Sequence, residues 1–260
     1  MAELRFDDGA SYERMMGVWS GIVAAIFLGW LAPKSGVSWV DVGCGTGAFT
    51  EEIVQRCAPH VVHGVDPSEE QLACARTRLG AHKAQFQQGD AMKLPFENDS
   101  FDAAVMALVL FFVPEPAKGV AEMARVVKRG GIVAAYAWDM FGGGLPQEPI
   151  FEQLRAMGHT PAGPPSPEAS KIAVMRELWN SAGVTDIETR VIRVERTYRD
   201  FEDYWTSVQG SPSLKASTAN MSLAGVEELK ERTHKRLSAA ADGSITYPAW
   251  AHAVKGRVAK

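Results

Sequence analysis

Short apolar runs alternate with segments of helical periodicity from about residue 38 onward. The run over 101–108 is almost entirely apolar, which is typical of a strand buried on both faces of a sheet. Between the runs, apolar residues such as Phe49, Ile53 and Cys57 recur at helical spacing and predict amphipathic helices. This alternation predicts βαβ units and a doubly wound, largely parallel α/β sheet. The strands predicted in this region are 38–42, 60–65, 84–88, 101–108 and 132–138.

The alternation ends after residue 138. The apolar spacing beyond it predicts helices over 148–157, 168–182, 201–208 and 226–241, and strands over 184–198 and 244–253. The apolar phase of the first of these strands slips at Val191 and Ile192, which predicts either a β-bulge or a join between inward faces there. Gly130 and Gly131 follow a helix predicted near 120–127, and we expect this pair to end that helix.

The uncharged stretch over 15–32 raises the question of a membrane helix. It is at the lower limit of the roughly 20 residues that a spanning helix needs. Gly17, Gly21 and Gly29 weaken it, and the residues before it are net acidic, unlike the basic start of a signal peptide. We therefore expect a buried helix and no stable membrane insertion.

Composition narrows the classes of partner. The formal net charge is −4, and this is the opposite of the basic excess that favours nucleic acid binding, so we expect no nucleic acid partner. Cys44, Cys57 and Cys74 are widely spaced and form no metal-ligand pattern. They predict a reducing, cytoplasmic setting and no structural metal.

The strongest chemical signal is the glycine-rich loop over 40–47, Val-Asp-Val-Gly-Cys-Gly-Thr-Gly, between the first strand and the helix that follows. Gly43, Gly45 and Gly47 allow a sharp turn and leave no Cβ between the backbone and a ligand. The following helix N-terminus offers free N–H groups to an anionic group. Three glycines in one such turn predict a bound ligand. Asp41 contacts either that ligand or the amides of the loop.

Two further acids follow the next two strands. Asp66 closes the second strand, where a carboxylate can accept hydrogen bonds from both hydroxyls of a ribose. Its alternative role is to cap the next helix, with Pro67 at the first helical position. Asp90 follows the third strand and either accepts from the exocyclic amine of an adenine or serves only the turn. The GxGxG spacing and Asp90 disfavour a nicotinamide-dependent dehydrogenase, whose loop reads GxGxxG.

Together these features resemble the class I S-adenosylmethionine (SAM) dependent methyltransferases over about 38–138. The nearest branch is the small-molecule enzymes related to ubiquinone and menaquinone biosynthesis. Further matching segments are Leu94-Pro95-Phe96, Ser100-Phe101-Asp102, the fourth-strand exit 107–112 and the stretch 127–131 before the fifth strand. The resemblance implies a Rossmann-like fold with an antiparallel terminal strand, SAM as the cofactor and a small-molecule methyl acceptor.

The resemblance also assigns roles to individual residues. The positions implied to bind SAM are Gly43, Gly45 and Gly47 for its methionine part, Asp66 for the ribose, Asp90 and Ala91 for the adenine, and Ala107 and Leu108 beside the methionine part. An N-terminal helix folds over the cofactor in a subset of the family. Tyr12 and Trp19 are therefore candidates to touch the cofactor or the acceptor, and their alternative role is helix packing.

One departure from the family concerns catalysis. Phe111 and Phe112 stand where the family often has a His-His pair, so a proton-handling role cannot be carried over. Both are predicted to be core or pocket wall, and the catalytic residues are unassigned. A SAM-binding module without catalysis therefore stays open as an alternative.

The predicted organisation is a single methyltransferase domain over 1–260. Its SAM-binding core is 33–138, its cap and lid elements are 1–32, 139–183 and 200–243, and its final strands are 184–199 and 244–253. If the cap residues Phe141, Trp179, Tyr204 and Trp205 line the cleft, an apolar or aromatic acceptor is favoured. The sequence does not indicate the oligomeric state.

Overall fold

A computed structural model describes residues 13–78 and 83–259, and its strands form one mixed sheet. The strands are β1 (Ser38–Val42), β2 (Val61–Asp66), β3 (Ala84–Gln88), β4 (Phe101–Ala107), β5 (Val127–Trp138), β6 (Val184–Tyr198) and β7 (Ile245–Val258). They lie in the order β3-β2-β1-β4-β5-β7-β6. The pairs among β1 to β5 are parallel, and β7 runs antiparallel to both β5 and β6. The predicted fold class and the antiparallel terminal strand are confirmed.

Helices connect and cover these strands. The α-helices are α1 (Val18–Leu31), α2 (Ala48–Cys57), α3 (Glu69–Arg76), α4 (Pro116–Val126), α5 (Glu148–Ala156), α6 (Ile172–Ser181), α7 (Phe201–Val208), α8 (Pro212–Thr218) and α9 (Leu223–Arg236). A π-helical turn (Glu13–Gly17) precedes α1, and short 3-10 turns occupy Leu110–Phe112 and Pro167–Ser170.

Both faces of the sheet are covered, as a doubly wound fold requires. Met106 of β4 pairs in register with Ala135 of β5, so the two side chains share a face, and Tyr136 points to the other. On the first face, a Cβ on Gly119 of α4 would lie 3.2 Å from Cε of Met106. On the second, the ring of Phe27 of α1 packs on Tyr136 with centroids 4.8 Å apart. Strands β4 and β5 are therefore covered by helices on both faces.

Helix α1 is part of the core. Val23, Phe27 and Leu28 are buried in it, against α2, β6 and β7. Its 14 residues extend about 21 Å, less than the roughly 30 Å of a bilayer's hydrocarbon core. Across 13–78 and 83–259, every helix is too short or too polar to cross a membrane.

Two predictions based on local patterns are wrong. Helix α4 ends at Val126, and Gly130 and Gly131 lie inside β5, where the pairing register with β4 shifts. Both positions at this shift favour glycine, because Gly130 has φ +76° and a Cβ on Gly131 would lie 2.5 Å from Cγ1 of Val127. The register shift of β6 lies between Thr185 and Glu188, and its pairing is continuous through Val191 and Ile192, so the bulge alternative at these two residues is wrong.

Several boundaries also differ from those predicted. β7 continues to Val258, five residues past the predicted end at 253, because it pairs with both β5 and β6. Helix α9 spans Leu223–Arg236 instead of 226–241. Helix α6 begins at Ile172, after a 3-10 turn, and α8 was not predicted.

Candidate functional site

The carboxyl ends of β1 to β4 surround a cavity of about 260 Å³, called the cofactor cavity below. This edge is where open α/β sheets bind their ligands. The sequence-predicted residues in its wall are Gly43, Gly45, Asp66, Asp90, Ala91, Ala107 and Leu108. The structure therefore brings the glycine-rich loop, both acids and the exit of the fourth strand to one cavity.

The loop is held against β2 by its first two amides. The N–H groups of Gly43 and Cys44 donate to the carbonyl of Val65, at 2.7 and 3.0 Å. Gly43 has φ +75°, and a Cβ there would lie 2.5 Å from Cγ1 of Val109. Only glycine fits this position without displacing the residue behind it, so the turn keeps the loop backbone open toward the cavity.

Gly47 lies outside the wall of the cofactor cavity. It directly precedes α2 with φ +78°, and a Cβ there would lie 3.0 Å from Cβ of Ala75 on α3. Its lack of a side chain therefore allows the start of α2 to approach α3. These contacts are enough to explain why residue 47 is a glycine. The predicted ligand contact is not needed for that explanation.

Asp66 connects the loop to the start of α3. One carboxylate oxygen accepts from the Gly45 N–H and the other from the Ser68 N–H, both at 2.9 Å. The N-cap of α3 is Ser68, whose Oγ accepts from the Gln71 N–H, so the capping alternative for Asp66 is wrong. Burial raises the pKa of Asp66, and the two amide bonds oppose this. Because each oxygen has a second lone pair, the carboxylate can still accept from ligand hydroxyls.

Asp90 lies in the turn after β3 and is exposed. Its Oδ1 accepts from the N–H of Met92 at 2.8 Å, so its turn role is real. Asp90 and Ala91 also line the cofactor cavity. The turn and the ligand role are therefore compatible, because a carboxylate has more acceptor sites than this one bond uses.

Asp41 is fully buried at the base of the loop and lines the cofactor cavity. Its Oδ2 accepts from the hydroxyl of Thr50 at 2.6 Å, and its Oδ1 is buried without a hydrogen-bond partner. The partner is thus a threonine on α2 instead of the loop amides. Burial raises the pKa of Asp41 to about 7; the bond from Thr50 opposes this rise, and the nearby charge of Asp66 adds to it. Loop motifs alone gave no indication of the unpartnered oxygen.

The exit of β4 closes the cavity on the side of β5. Leu108 has φ +62°, and its N–H donates to the carbonyl of Tyr136 at 2.9 Å. A non-glycine residue in this conformation is uncommon and is held here by the sheet. Phe112 lies in the cavity wall and Phe111 is buried, which agrees with the predicted core or wall role.

Trp19 is not among the residues lining the cofactor cavity. It is 1% exposed, its indole N–H donates to the hydroxyl of Tyr198 at 3.3 Å, and it packs edge-on against Trp138. These contacts agree with the alternative role predicted for Trp19, which is helix packing. Tyr12 lies outside the residues that the structure describes.

The four cap aromatics are not among the residues that line the cofactor cavity, so the condition under which they would favour an apolar or aromatic acceptor is not met there. Trp179 is on α6, which covers β6 and β7, and its N–H donates to the carbonyl of Val133 at 2.9 Å. Tyr204 and Trp205 are buried in the packing of α7, and Phe141 is 52% exposed beneath Lys171. The spacing of apolar residues identified these aromatic residues, but it did not show against which surface each one packs.

A second, smaller cavity of about 50 Å³ adjoins the first and shares Leu108 and Phe112 with it. We call it the cap cavity. Its wall consists of Met15, Met16, Leu108, Phe111, Phe112, Trp138, Met140, Leu145, Gln147, Phe151, Ala162, Pro164, Ser211, Pro212 and Ser213. Most of these were absent from the sequence-based candidates, because they come from separate stretches of the chain that share no local motif. Its wall is mainly apolar and aromatic.

Comparison with known proteins fits this geometry. Residues 40–135 match the protein family described as "Methyltransferase domain". The demethylmenaquinone methyltransferase of Desulfitobacterium hafniense is 38% identical over 107 residues, which are 39% of this chain and 42% of that protein. The 2-methyl-6-phytyl-1,4-hydroquinone methyltransferase 2 of Oryza sativa is 41% identical over 93 residues, which are 36% of this chain and 27% of that protein. The chain therefore spans less than half the length of these curated relatives.

The fold has solved counterparts over its whole length. The structure of phosphoethanolamine N-methyltransferase 2 of Haemonchus contortus, in complex with SAM, aligns with a TM-score of 0.59 and 18% identity. The alignment covers 100% of this chain and 61% of that one. At this identity the likeness concerns the fold. The family match, the relatives and the fold together place residues 40–135 among the class I SAM-dependent methyltransferase domains.

Proposed function

We propose that this chain transfers a methyl group from SAM to a small, apolar acceptor. The observation that supports the proposal is that Gly45, Asp66, Asp90 and Leu108, at the carboxyl ends of four separate strands, line a single cavity at the ligand-binding edge of the sheet. These are positions to which the family resemblance assigns cofactor contacts. The matched segment 40–135 contains all four.

The residues present fit SAM. In this proposal Gly43 and Gly45 bind its methionine part, Asp66 its ribose hydroxyls, and Asp90 with Ala91 its adenine. The unpartnered Oδ1 of Asp41 gives a buried acceptor at the methionine end, where a cationic amino group would satisfy it. Ala107 and Leu108 supply backbone and packing beside it.

Bound SAM supplies a methyl group that its sulfonium already activates. The chain has therefore mainly to align the acceptor with that methyl group and to exclude water. Leu108 and Phe112, which both cavities share, are positioned to do this at the junction. A general base is needed only for an acceptor that reacts in a protonated state.

For the acceptor we propose a quinone-type ring. The names of the two relatives, a demethylmenaquinone and a hydroquinone methyltransferase, support this class. The aromatic and aliphatic wall of the cap cavity also suits an apolar ring. We further propose that the whole chain works as one domain. Its free thiols, Cys44, Cys57 and Cys74, suit a reducing cytoplasm.

Calorimetry with SAM, its demethylated product S-adenosylhomocysteine (SAH) and NAD tests the cofactor. We expect both adenosyl compounds to bind and NAD not to bind; tighter binding of NAD than of SAM would refute the assignment. Methyl transfer is tested by following SAH formation with a panel of hydroquinones and simple phenols. Binding of SAM without turnover on any of them would favour a module without catalysis.

A further inference from the structure

The cap cavity contains one polar group whose bonding is incomplete. Gln147 directly precedes α5 and is 6% exposed, with its side chain in the cavity wall. Its amide nitrogen donates to Oγ of Ser211 at 3.5 Å, and its Oε1 is buried without a hydrogen-bond partner. A buried carbonyl left unpaired is destabilising, so such groups usually have a hydrogen-bond partner from the protein, a water or a ligand.

The surroundings of the amide are apolar. Aromatic rings from Phe111, Phe112, Trp138 and Phe151 stand in the same wall, and the other polar side chains in it are Ser211 and Ser213. Ser211 is already engaged, because its Oγ accepts from the Leu214 N–H at 3.3 Å and receives the bond from Gln147. The free Oε1 is therefore a directional acceptor in a mainly apolar cavity, and small-molecule sites usually combine an apolar wall with a few such polar groups.

We propose that the methyl acceptor binds across the junction of the two cavities with its donor-bearing end in the cap cavity, and that Oε1 of Gln147 accepts a hydrogen bond from a hydroxyl or N–H group there. The shared wall at Leu108 and Phe112 places this molecule next to the cofactor cavity. Gln147 is then a specificity-determining residue: it favours a ring with a hydrogen-bond donor over the same ring without one. The inference rests on the proposed function, since only methyl transfer requires an acceptor beside the cofactor.

The test uses three small probes in the presence of SAH, followed by fluorine NMR titration. 4-Fluorophenol carries a donor, 4-fluoroanisole only an acceptor, and 4-fluorotoluene neither. We expect the wild-type protein to bind the phenol about three- to tenfold more tightly than the other two, as one added hydrogen bond predicts. Equal binding of the phenol and the anisole, or no binding of the phenol, would overturn the inference without any variant.

Gln147→Met removes the amide and keeps an unbranched side chain. We expect it to lose the preference for the phenol, while SAH binds with wild-type affinity. Gln153→Leu, on the helix that Gln147 precedes and outside both cavities, is the matched control and should keep the preference. A Gln147→Met protein that melts as a folded protein and still prefers the phenol would contradict the assignment.

A second experiment locates the bound phenol by NMR of methionine methyl groups labelled with carbon-13. Met16 and Met140 line the cap cavity, whereas Met123 is buried on α4 outside both cavities. The phenol should shift the first two signals and leave the third unchanged; the reverse pattern would refute the site. Calorimetry with SAH distinguishes failure of the proposed function from failure of the inference about Gln147. If SAH does not bind at all, the proposed function fails, whereas SAH binding without a phenol preference defeats only the inference about Gln147.

Discussion

Replacing Asp41 by asparagine should change how the stability of the protein depends on pH. The carboxyl group is fully buried, receives one hydrogen bond from Thr50, and has no cation beside it among the causes that set its pKa. Burial raises the pKa of Asp41 from 3.8 to about 7. The folded protein therefore keeps the proton of Asp41 in a pH range where the unfolded chain has released it.

The sign follows from proton linkage. Between pH 3.8 and about 7, the folded state binds one more proton at this site than the unfolded state, so stability falls as the pH rises. Each pH unit inside this range costs about 1.4 kcal/mol. From pH 5 to pH 8, where the folded state also becomes ionised, the loss is about 2–3 kcal/mol. An asparagine side chain does not titrate, so the substitution should remove this contribution and should stabilise the protein most at the high end of the range.

Urea unfolding of both proteins at pH 5, 6, 7 and 8, without cofactor, measures the effect. The difference in unfolding free energy between wild type and Asp41→Asn isolates the site, because the other titrating groups are common to both proteins. Glu97→Gln, at an exposed carboxyl, is the control for the same kind of substitution outside the core. Parallel curves for wild type and Asp41→Asn would show that the buried carboxyl does not hold its proton, and the reasoning from burial would be refuted.

Three other substitutions separate ligand contacts from structural roles. Asp66→Ala should weaken SAH binding at least about tenfold by calorimetry, because it removes charge-assisted hydrogen bonds; lower thermal stability with unchanged affinity would mean that the carboxylate only ties the loop to α3. Gly45→Val should abolish detectable SAH binding and cost about 1–3 kcal/mol of stability, because valine is strained at φ +52°, while far-UV circular dichroism stays that of a folded protein; wild-type affinity would contradict the ligand role of the loop. Trp19→Phe should lose about 1 kcal/mol with its bond to Tyr198 and keep SAH affinity; a tenfold drop in affinity would instead place Trp19 at the cofactor.

The grouping of the residues proposed to bind the cofactor could be predicted from sequence because each lies at or just after the carboxyl end of a strand. Parallel strands end at one edge of the sheet, so local assignment of β1, β2 and β3 is enough to bring Gly43, Asp66 and Asp90 together. The prediction did not need the packing of any helix.

The same local reasoning could not tell which constraint a glycine meets. Gly43 and Gly47 look alike in the loop, yet the first lines the cavity and the second makes room for α3. Gly130 and Gly131 resemble a helix end, but the continuation of pairing with β4 and β7 makes them part of a strand. In each case the deciding contact comes from a residue outside the local segment.

The proposed acceptor site is formed throughout by contacts between residues that are distant in the sequence. Gln147 is an ordinary polar residue in sequence, and it becomes distinctive only because α5 and the start of α8 bury it against Ser211 with one oxygen unpaired. The family match ends at residue 135, so it covers the cavity residues from Gly43 to Leu108 and stops before this one. The family match therefore carries no information about Gln147. The quinone-type acceptor is proposed mainly from the names of the relatives, whereas the donor requirement is inferred from Gln147 in the cap cavity. An acceptor that satisfies both must be an apolar ring with a free hydroxyl or N–H group, which the reduced form of a quinone has and the oxidised form lacks.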